Sequence, residues 1–403
     1  MHTTGIICEY NPMHSGHAYQ LRRVRETGTD ATVLVMSGSF TERGEIAVCG
    51  KYERAEIAVR AGADLVLELP YPYCAASAEY FARAGVEILD RLGVNTLCFG
   101  SETGDAALLD RAAEVARSGA FREAFTATGN SGKGSAAAYF DLLNEFLGTE
   151  SFGANDVLGV EYLKAIKRIG SEMKPFVLLR EGAGYHAETV SAGAHPSATA
   201  IRKAMDGVKN EDCAEIYESL CGLDREIVAA FRRAVLAGDA PVRPENAEAA
   251  ILGFYRMQTP QSLHGLAEMH GGLAERICSA ANEATDLASF LTLASTKKYT
   301  DSRVRRAILY GMTGVREADL NASPAYVNLL GASERGRAFL AQYRKKKDKT
   351  LAIVTRPAAI LDDNESDAFR REAELQLRAE ALYAMFSPLP RPAHAVLRRR
   401  AFF

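Results

Sequence analysis

Short, continuous apolar runs recur along the first half of the chain, at residues 5–8, 31–36, 64–69, 95–99 and, after a gap, 175–179. They are too short for helices, and they do not alternate with polar positions, as strands buried on both faces do not. Between them lie segments with helical spacing, at 18–26, 52–61, 78–92, 106–117 and 157–169. Strands alternating with amphipathic helices predict an α/β fold, a parallel sheet covered on both sides. Such sheets bind ligands at the carboxyl ends of their strands, which would bring residues 9–17, 37–40 and 100–102 to one rim. From Asp206 onward the pattern becomes helical, at 211–220, 225–237, 247–257, 273–285, 301–310 and 366–386, with one short extended piece at 351–354. Two domains are expected, 1–205 and a mainly helical 206–403.

Composition narrows this only a little. A chain of 403 residues with 47% hydrophobic and 25% charged positions suits a globular protein with a large core, and a net charge of −3 announces no polyanion by itself. The seven cysteines are scattered, with no paired spacing for zinc and an odd count for disulfides, so they read as small buried residues of a reducing compartment. No basic region followed by an apolar segment opens the chain, and no run approaches a membrane span. A cytoplasmic protein without membrane contact is expected.

The richest stretch follows the first apolar run. Asn11-Pro12 breaks the strand, His14-Ser15-Gly16-His17 comes next, and a helical pattern begins at once. A helix N-terminus offers unpaired N–H groups to phosphate, and two imidazoles beside it can stabilise charge on a phosphoryl oxygen. This spacing resembles the HIGH motif of the nucleotidyltransferase superfamily, which implies a Rossmann-like sheet and use of ATP. Downstream, Thr199-Ala200-Ile201-Arg202 matches the (S/T)-x-I-R segment that closes the site in that superfamily; an arginine there would meet the leaving pyrophosphate.

Other segments leave alternatives open. The stretch 37–45, rich in glycine and hydroxyls, is either a phosphate or substrate loop or a polar connection, with Lys51 and Arg54 in reach. Tyr71 and Tyr73 either stack on a base or cover the sheet. Asn155 or Asp156 would cap a helix. Residues 126–134 and 182–193 read as loops. Basic runs lie at 297–306, 335–349 and 398–400. Such runs are usually solvated faces, but beside a nucleotide enzyme Lys297, Lys298, Arg303, Arg305 and Arg306 become candidates for RNA phosphates.

Taken together, these residues resemble the bacterial tRNA(Met) cytidine acetate ligases. The resemblance rests on Glu9-Tyr10-Asn11-Pro12-x-His14-x-Gly16-His17, Val35-Met36-Ser37-Gly38-x-Phe40-x-x-Arg43-Gly44-Glu45, Leu67-x-Leu69-Pro70-Tyr71, Phe99-Gly100-Ser101-Glu102, Ser197-Ala198-Thr199-x-Ile201-Arg202-Lys203-Ala204-Met205, Thr296-Lys297-x-Tyr299-Thr300 and Leu329-Leu330-Gly331. It implies that acetate and ATP form acetyl-adenylate. The acetyl group then passes to the wobble cytidine in the anticodon loop of elongator tRNA(Met), giving N4-acetylcytidine. Carried over by position, ATP would meet Ile7, Cys8, Glu9, Tyr10, Asn11, Pro12, Met13, His14, Ser15, Gly16, His17, Ala18, Tyr19 and Gln20, with Gly100, Asn155, Arg180, Glu181 and Thr199. His14, His17 and Arg202 would be catalytic. Mg²⁺ would accompany ATP through its phosphates, with no metal site on the protein and no tightly held cofactor. Met13, Ser15, Gln20 and Ala200 depart from the family's usual phenylalanine, asparagine, histidine and serine. A plain nucleotidyltransferase, moving AMP to a small phosphorylated acceptor, and a non-catalytic RNA-binding protein are the competing readings.

Overall fold

The computed structural model describes residues 1–127, 135–148, 152–180, 196–347, 349–361, 366–389 and 391–403. Five strands form as the apolar runs predict: β1 (Thr3–Cys8), β2 (Ala31–Ser37), β3 (Leu65–Leu69), β4 (Thr96–Ser101) and β5 (Lys174–Leu179). The connecting helices are α1 (Ser15–Glu26), α2 (Lys51–Arg60), α3 (Ala78–Leu92), α4 (Ala106–Arg117), α5 (Gly119–Ala127), α6 (Ser135–Leu147) and α7 (Ala154–Ile169). α8 (Ala198–Met205) carries the Ile201-Arg202 segment. Residues 126 and 127, expected in a loop, end α5 instead; 128–134 and 182–193 lie outside the described residues.

The sheet order is β5-β4-β1-β2-β3-β6-β7, where β6 is Tyr326–Ala332 and β7 is Ala352–Val354, and the first five strands run parallel to one another. The strand order reverses between β1 and β4, and it is outside the carboxyl ends at such a switch point that parallel sheets bind ligands. Alternate side chains feed two cores. Ile7, Val33, Val35, Leu65 and Leu67 face α3 and α7, whereas Ile6, Leu34, Met36 and Val66 face the side of α2 and of α10 (Arg225–Leu236). Burial on both faces explains the unbroken apolar runs.

The second half continues with α9 (Cys213–Leu220), α10 (Arg225–Leu236), α11 (Glu248–Arg256), α12 (Pro260–Leu263), α13 (Leu273–Glu283), α14 (Leu287–Ala294), α15 (Asp301–Thr313) and α16 (Glu317–Asn321). It then returns to the sheet. β6 (Tyr326–Ala332) pairs antiparallel to β3, and β7 (Ala352–Val354) pairs parallel to β6, with α17 (Glu334–Lys345) between them and α18 (Asp367–Met385) after them. The single sheet therefore runs across the expected boundary after residue 205.

A buried polar junction ties the halves together. Lys51 Nζ lies 2.7 Å from Glu68 and 2.8 Å from Glu380. Gln376 donates to both carboxylates, Asn328 donates to Glu68 and Ser39 donates to Glu380. Burial alone would discharge Lys51, but the two carboxylates outweigh it and hold the ammonium charged; burial pushes Glu68 up. The stretch 37–45 is thus a braced segment, with Ser39, Phe40 and Thr41 buried. Tyr71 and Tyr73 are buried too, covering the sheet.

Candidate active site at the switch point of the sheet

The chain leaves β1 through Tyr10, a non-glycine residue at φ +46°, and turns sharply into α1. His14 is the N-cap of that helix. Its Nδ1 accepts the Gly16 N–H at 3.2 Å, while His17 Nδ1 accepts the His14 N–H at 3.3 Å. The two imidazoles thus form a reciprocal capping box, the role usually filled by Ser or Thr with Glu. An accepting Nδ1 carries a lone pair, so the proton of each neutral ring sits on Nε2. The rings lie 3.8 Å apart, with Tyr10 4.6 Å from His17. Burial, then His14 and Arg180, hold the His17 pKa well below the ordinary imidazole value. His17 is therefore a neutral hydrogen-bond donor at physiological pH.

Three elements far apart in sequence support this turn. Arg202 on α8 donates to the Asn11 carbonyl at 2.6 Å and pairs with Glu45 at 2.9 Å. Tyr217 on α9 donates to the Met13 carbonyl at 2.7 Å, and the Ser15 N–H donates to the Cys221 carbonyl at 2.7 Å. Asn11 accepts the Val48 N–H at 2.8 Å. The buried Arg54 donates to the carbonyls of Cys49, Glu9, Ser37 and Gly38, fastening the ends of β1 and β2. Arg54 does reach back to the segment after β2, but to its backbone. In the sequence, Arg54 stood out only as lying within reach of that segment. Tyr217 and Cys221 carried no local signal, since their partners lie about two hundred residues away.

The carbonyl end of Glu9 is held by Arg54 while its carboxylate accepts the Glu42 N–H at 2.8 Å. Burial, then the nearby Glu42 and Glu45, push the Glu9 carboxyl up to about 7. Ile7 and Cys8 are buried in the strand. Gln20 donates weakly to the Cys98 sulfur at 3.7 Å, on the neighbouring β4, and Ala18 and Tyr19 lie on the same helix.

On the β4 side, Glu102 fills the space in front of α7. Its carboxylate accepts the N–H groups of Asn155 and Asp156 and the Asn155 side-chain amide. The N-cap is Gly153, not Asn155 or Asp156; Asp156 is the reciprocal member three residues on. Arg180 lies against Gly100, with its Cγ 3.2 Å from where a Cβ would sit, and reaches Asn155 Oδ1 at 3.4 Å. Gly100, Asn155 and Arg180 thus come together, while Glu181 lies outside the described residues. Thr199 stands in the first turn of α8, whose N-cap is Ser197, accepting from the Ala200 N–H. His14 and His17 thus stand just past the carboxyl end of β1, Gly100 and Arg180 at the carboxyl ends of the neighbouring β4 and β5, and Arg202 reaches the turn between β1 and α1.

Within the basic run at 297–306, several cations are engaged by the protein itself. Arg303 and Arg306 both pair with Glu268 at 3.0 Å, and Arg306 is 7% exposed. They fix α15 to the 268–272 turn. Lys298 donates to the Gly271 carbonyl, and Arg305 lies 3.9 Å from Asp301. Lys297 and Lys298 remain exposed and Arg305 half-buried.

A family model described as HIGH nucleotidyl transferase matches residues 1–395. The tRNA(Met) cytidine acetate ligase of Syntrophotalea carbinolica is 37% identical, covering 100% of this chain and 98% of its own. That of Bacillus subtilis is 32% identical over 94% of each chain. Among solved structures, Thermotoga maritima TmcAL bound with alpha-thio ATP is similar with a TM-score of 0.87 at 30% identity, covering 100% of this chain and 99% of that one. Its apo form gives 0.89 at 29% identity with the same coverage. The switch point, its paired imidazoles and these whole-length likenesses agree: the chain belongs to the HIGH nucleotidyl transferases and, within them, to the tRNA(Met) cytidine acetate ligase family.

Proposed function

We propose that this protein activates acetate with ATP and acetylates the wobble cytidine of elongator tRNA(Met). The observation that carries the reading is the imidazole capping box, which uses both Nδ1 atoms and leaves an Nε2–H on each ring, at a helix N-terminus whose entering turn Arg202 holds. An acetate oxygen attacks the α-phosphate, pyrophosphate leaves, and acetyl-adenylate remains. Negative charge grows on the phosphoryl oxygens in that step, and His14, His17 and the α1 N–H groups stabilise it without transferring a proton. Arg202 neutralises the pyrophosphate end. The cytidine N4 then attacks the acetyl carbonyl, AMP departs and N4 loses a proton, giving N4-acetylcytidine. An anticodon loop suits this chemistry, because a loop base is unstacked at lower cost than a paired one.

Among the described residues no group of three His, Cys, Asp or Glu converges as a metal site. Mg²⁺ would enter with ATP, held by phosphates and water. No described helix is long and apolar enough to cross a membrane.

Exchange of labelled pyrophosphate into ATP, without tRNA, tests the reading. It should require acetate. Exchange that ignores acetate but needs a phosphorylated acceptor would replace this function with plain nucleotidyl transfer.

A further inference from the structure

At the edge of the sheet a cleft of about 730 Å³ opens between α17, the turn after β7 and the chain's last residues. Six arginines line it: Arg337 and Arg344 from α17, Arg356, and Arg398, Arg399 and Arg400. No aspartate or glutamate lines it. Arg399 is occupied, pairing with Glu53 and lying over the Tyr52 ring. The other five make no ion pair among the described residues, and all five are exposed. In a chain of net charge −3, whose other arginines repeatedly find carboxylates, five unneutralised guanidinium groups in one concavity call for a polyanion. Guanidinium forks match phosphate oxygens two at a time. The floor is apolar, with Leu340 and the 61%-exposed Phe403, so it offers a surface for a sugar or a base as well as for charge.

The position limits the occupant. Phe402 bonds to β6 beside Leu330 and Ala332, and Ala332 pairs with Leu65, the first residue of β3. The cleft thus lies toward the amino-end edge of the parallel strands, opposite the candidate ATP site. The six residues of β1 separate the two edges by about 20 Å. That is the rise of roughly six nucleotides along a duplex strand. A ligand touching both places is a long nucleic acid, not a nucleotide.

We propose that this arginine cleft binds the phosphate backbone of the substrate tRNA at a stretch away from the reacting cytidine. It rests on the acetate-ligase reading only in taking tRNA as the polyanion. Phosphate contacts position RNA without reading sequence, so the cleft supplies affinity and register, and the carboxyl-end site supplies the choice of base.

The test replaces Arg337, Arg344, Arg356, Arg398 and Arg400 with glutamine in the full chain. Binding of an elongator tRNA(Met) transcript and of a second, unrelated tRNA is titrated across salt concentrations. Affinity for both RNAs should fall by the same factor, and the slope of log K against log salt should flatten by about 0.7–0.9 for each phosphate left unneutralised. Acetate-dependent pyrophosphate exchange without tRNA should keep its wild-type rate, which also reports an intact fold. Lysine at the same five positions should restore most of the affinity. Should the quintuple variant not fold, Arg344→Gln and Arg356→Gln singly, each flattening the slope by about one unit, carry the same prediction. Unchanged affinity and slope overturn the proposal and leave the cleft to another partner, such as an acidic protein surface. A wild type that binds tRNA with this salt slope but shows no acetate-dependent exchange would overturn the ligase reading and leave the cleft standing.

Discussion

Arg202 donates to the carbonyl oxygen of Asn11 across 2.6 Å, so a residue of α8 holds the turn between β1 and α1. The same guanidinium rests on Glu45 and keeps its fork oriented. Arg202→Lys retains the charge but offers one ammonium in place of two directed N–H groups. Arg202→Ala should lower kcat/KM for ATP by about 10- to 100-fold, the range of a missing charged hydrogen bond, and Arg202→Lys should lower it less. Initial rates of pyrophosphate exchange against ATP concentration read both variants. Equal behaviour of the two would make Arg202 a brace for the turn only.

The capping box lets stability and catalysis be separated at the histidines. His14→Ser keeps an N-cap oxygen, and His17→Gln keeps the reciprocal partner. Both should melt near the wild-type temperature while acetyl-adenylate formation falls about 10²–10³-fold, the usual loss for one preorganised donor. His14→Ala should additionally lose about 1 kcal/mol of stability with its cap. Wild-type adenylation by the Ser and Gln variants would remove the imidazoles from the chemistry.

Glu9 makes a prediction about protons. Its half-buried carboxyl titrates at about 7, against 4.5 for an exposed glutamate, chiefly through burial. Arriving phosphates raise it further. At pH near 8, about one unit above that value, ATP binding should therefore take up a proton, seen as calorimetric heats that vary with buffer ionisation enthalpy. Glu9→Gln should abolish the uptake. For stability the sign is fixed by the raised folded-state value. The contribution is fully present below 4.5 and is lost as pH rises through 7. Glu9→Gln should flatten that part of the stability profile. A wild-type profile already flat across it would contradict the assignment.

The Lys51–Glu68–Glu380 junction should fail asymmetrically. Lys51→Met leaves two buried carboxylates facing each other and should cost about 3–5 kcal/mol in urea unfolding. Glu380→Gln, which leaves the Lys51–Glu68 pair intact, should cost clearly less. Equal losses would mean that packing, and not charge, sets the stability of the junction.

The parallel strands and the paired histidines were legible because their signals are local: an unbroken apolar run, a proline and a His-x-Gly-His. β6 was not legible. Its residues Leu329, Leu330 and Gly331 appeared only as a matching tripeptide, because nothing local announces pairing with β3, more than 250 residues earlier in the chain. Arg303 and Arg306 read as surface charge because their partner, Glu268, stands outside the run, at φ +64°. The cleft arginines escaped notice as one group for the converse reason. They are spread from 337 to 400 and meet only in three dimensions.

The late return of β6 also sets a timetable for the nascent chain. During synthesis β3 is complete by residue 69, yet the strand that covers its outer edge is not finished until residue 332. At about 5–20 residues per second, that edge waits roughly 13–50 s with unpaired backbone groups and an apolar composition. A chain stalled or cut before β6 presents a sticky template to its neighbours, so the ribosome-bound intermediate is the species on which chaperones should act.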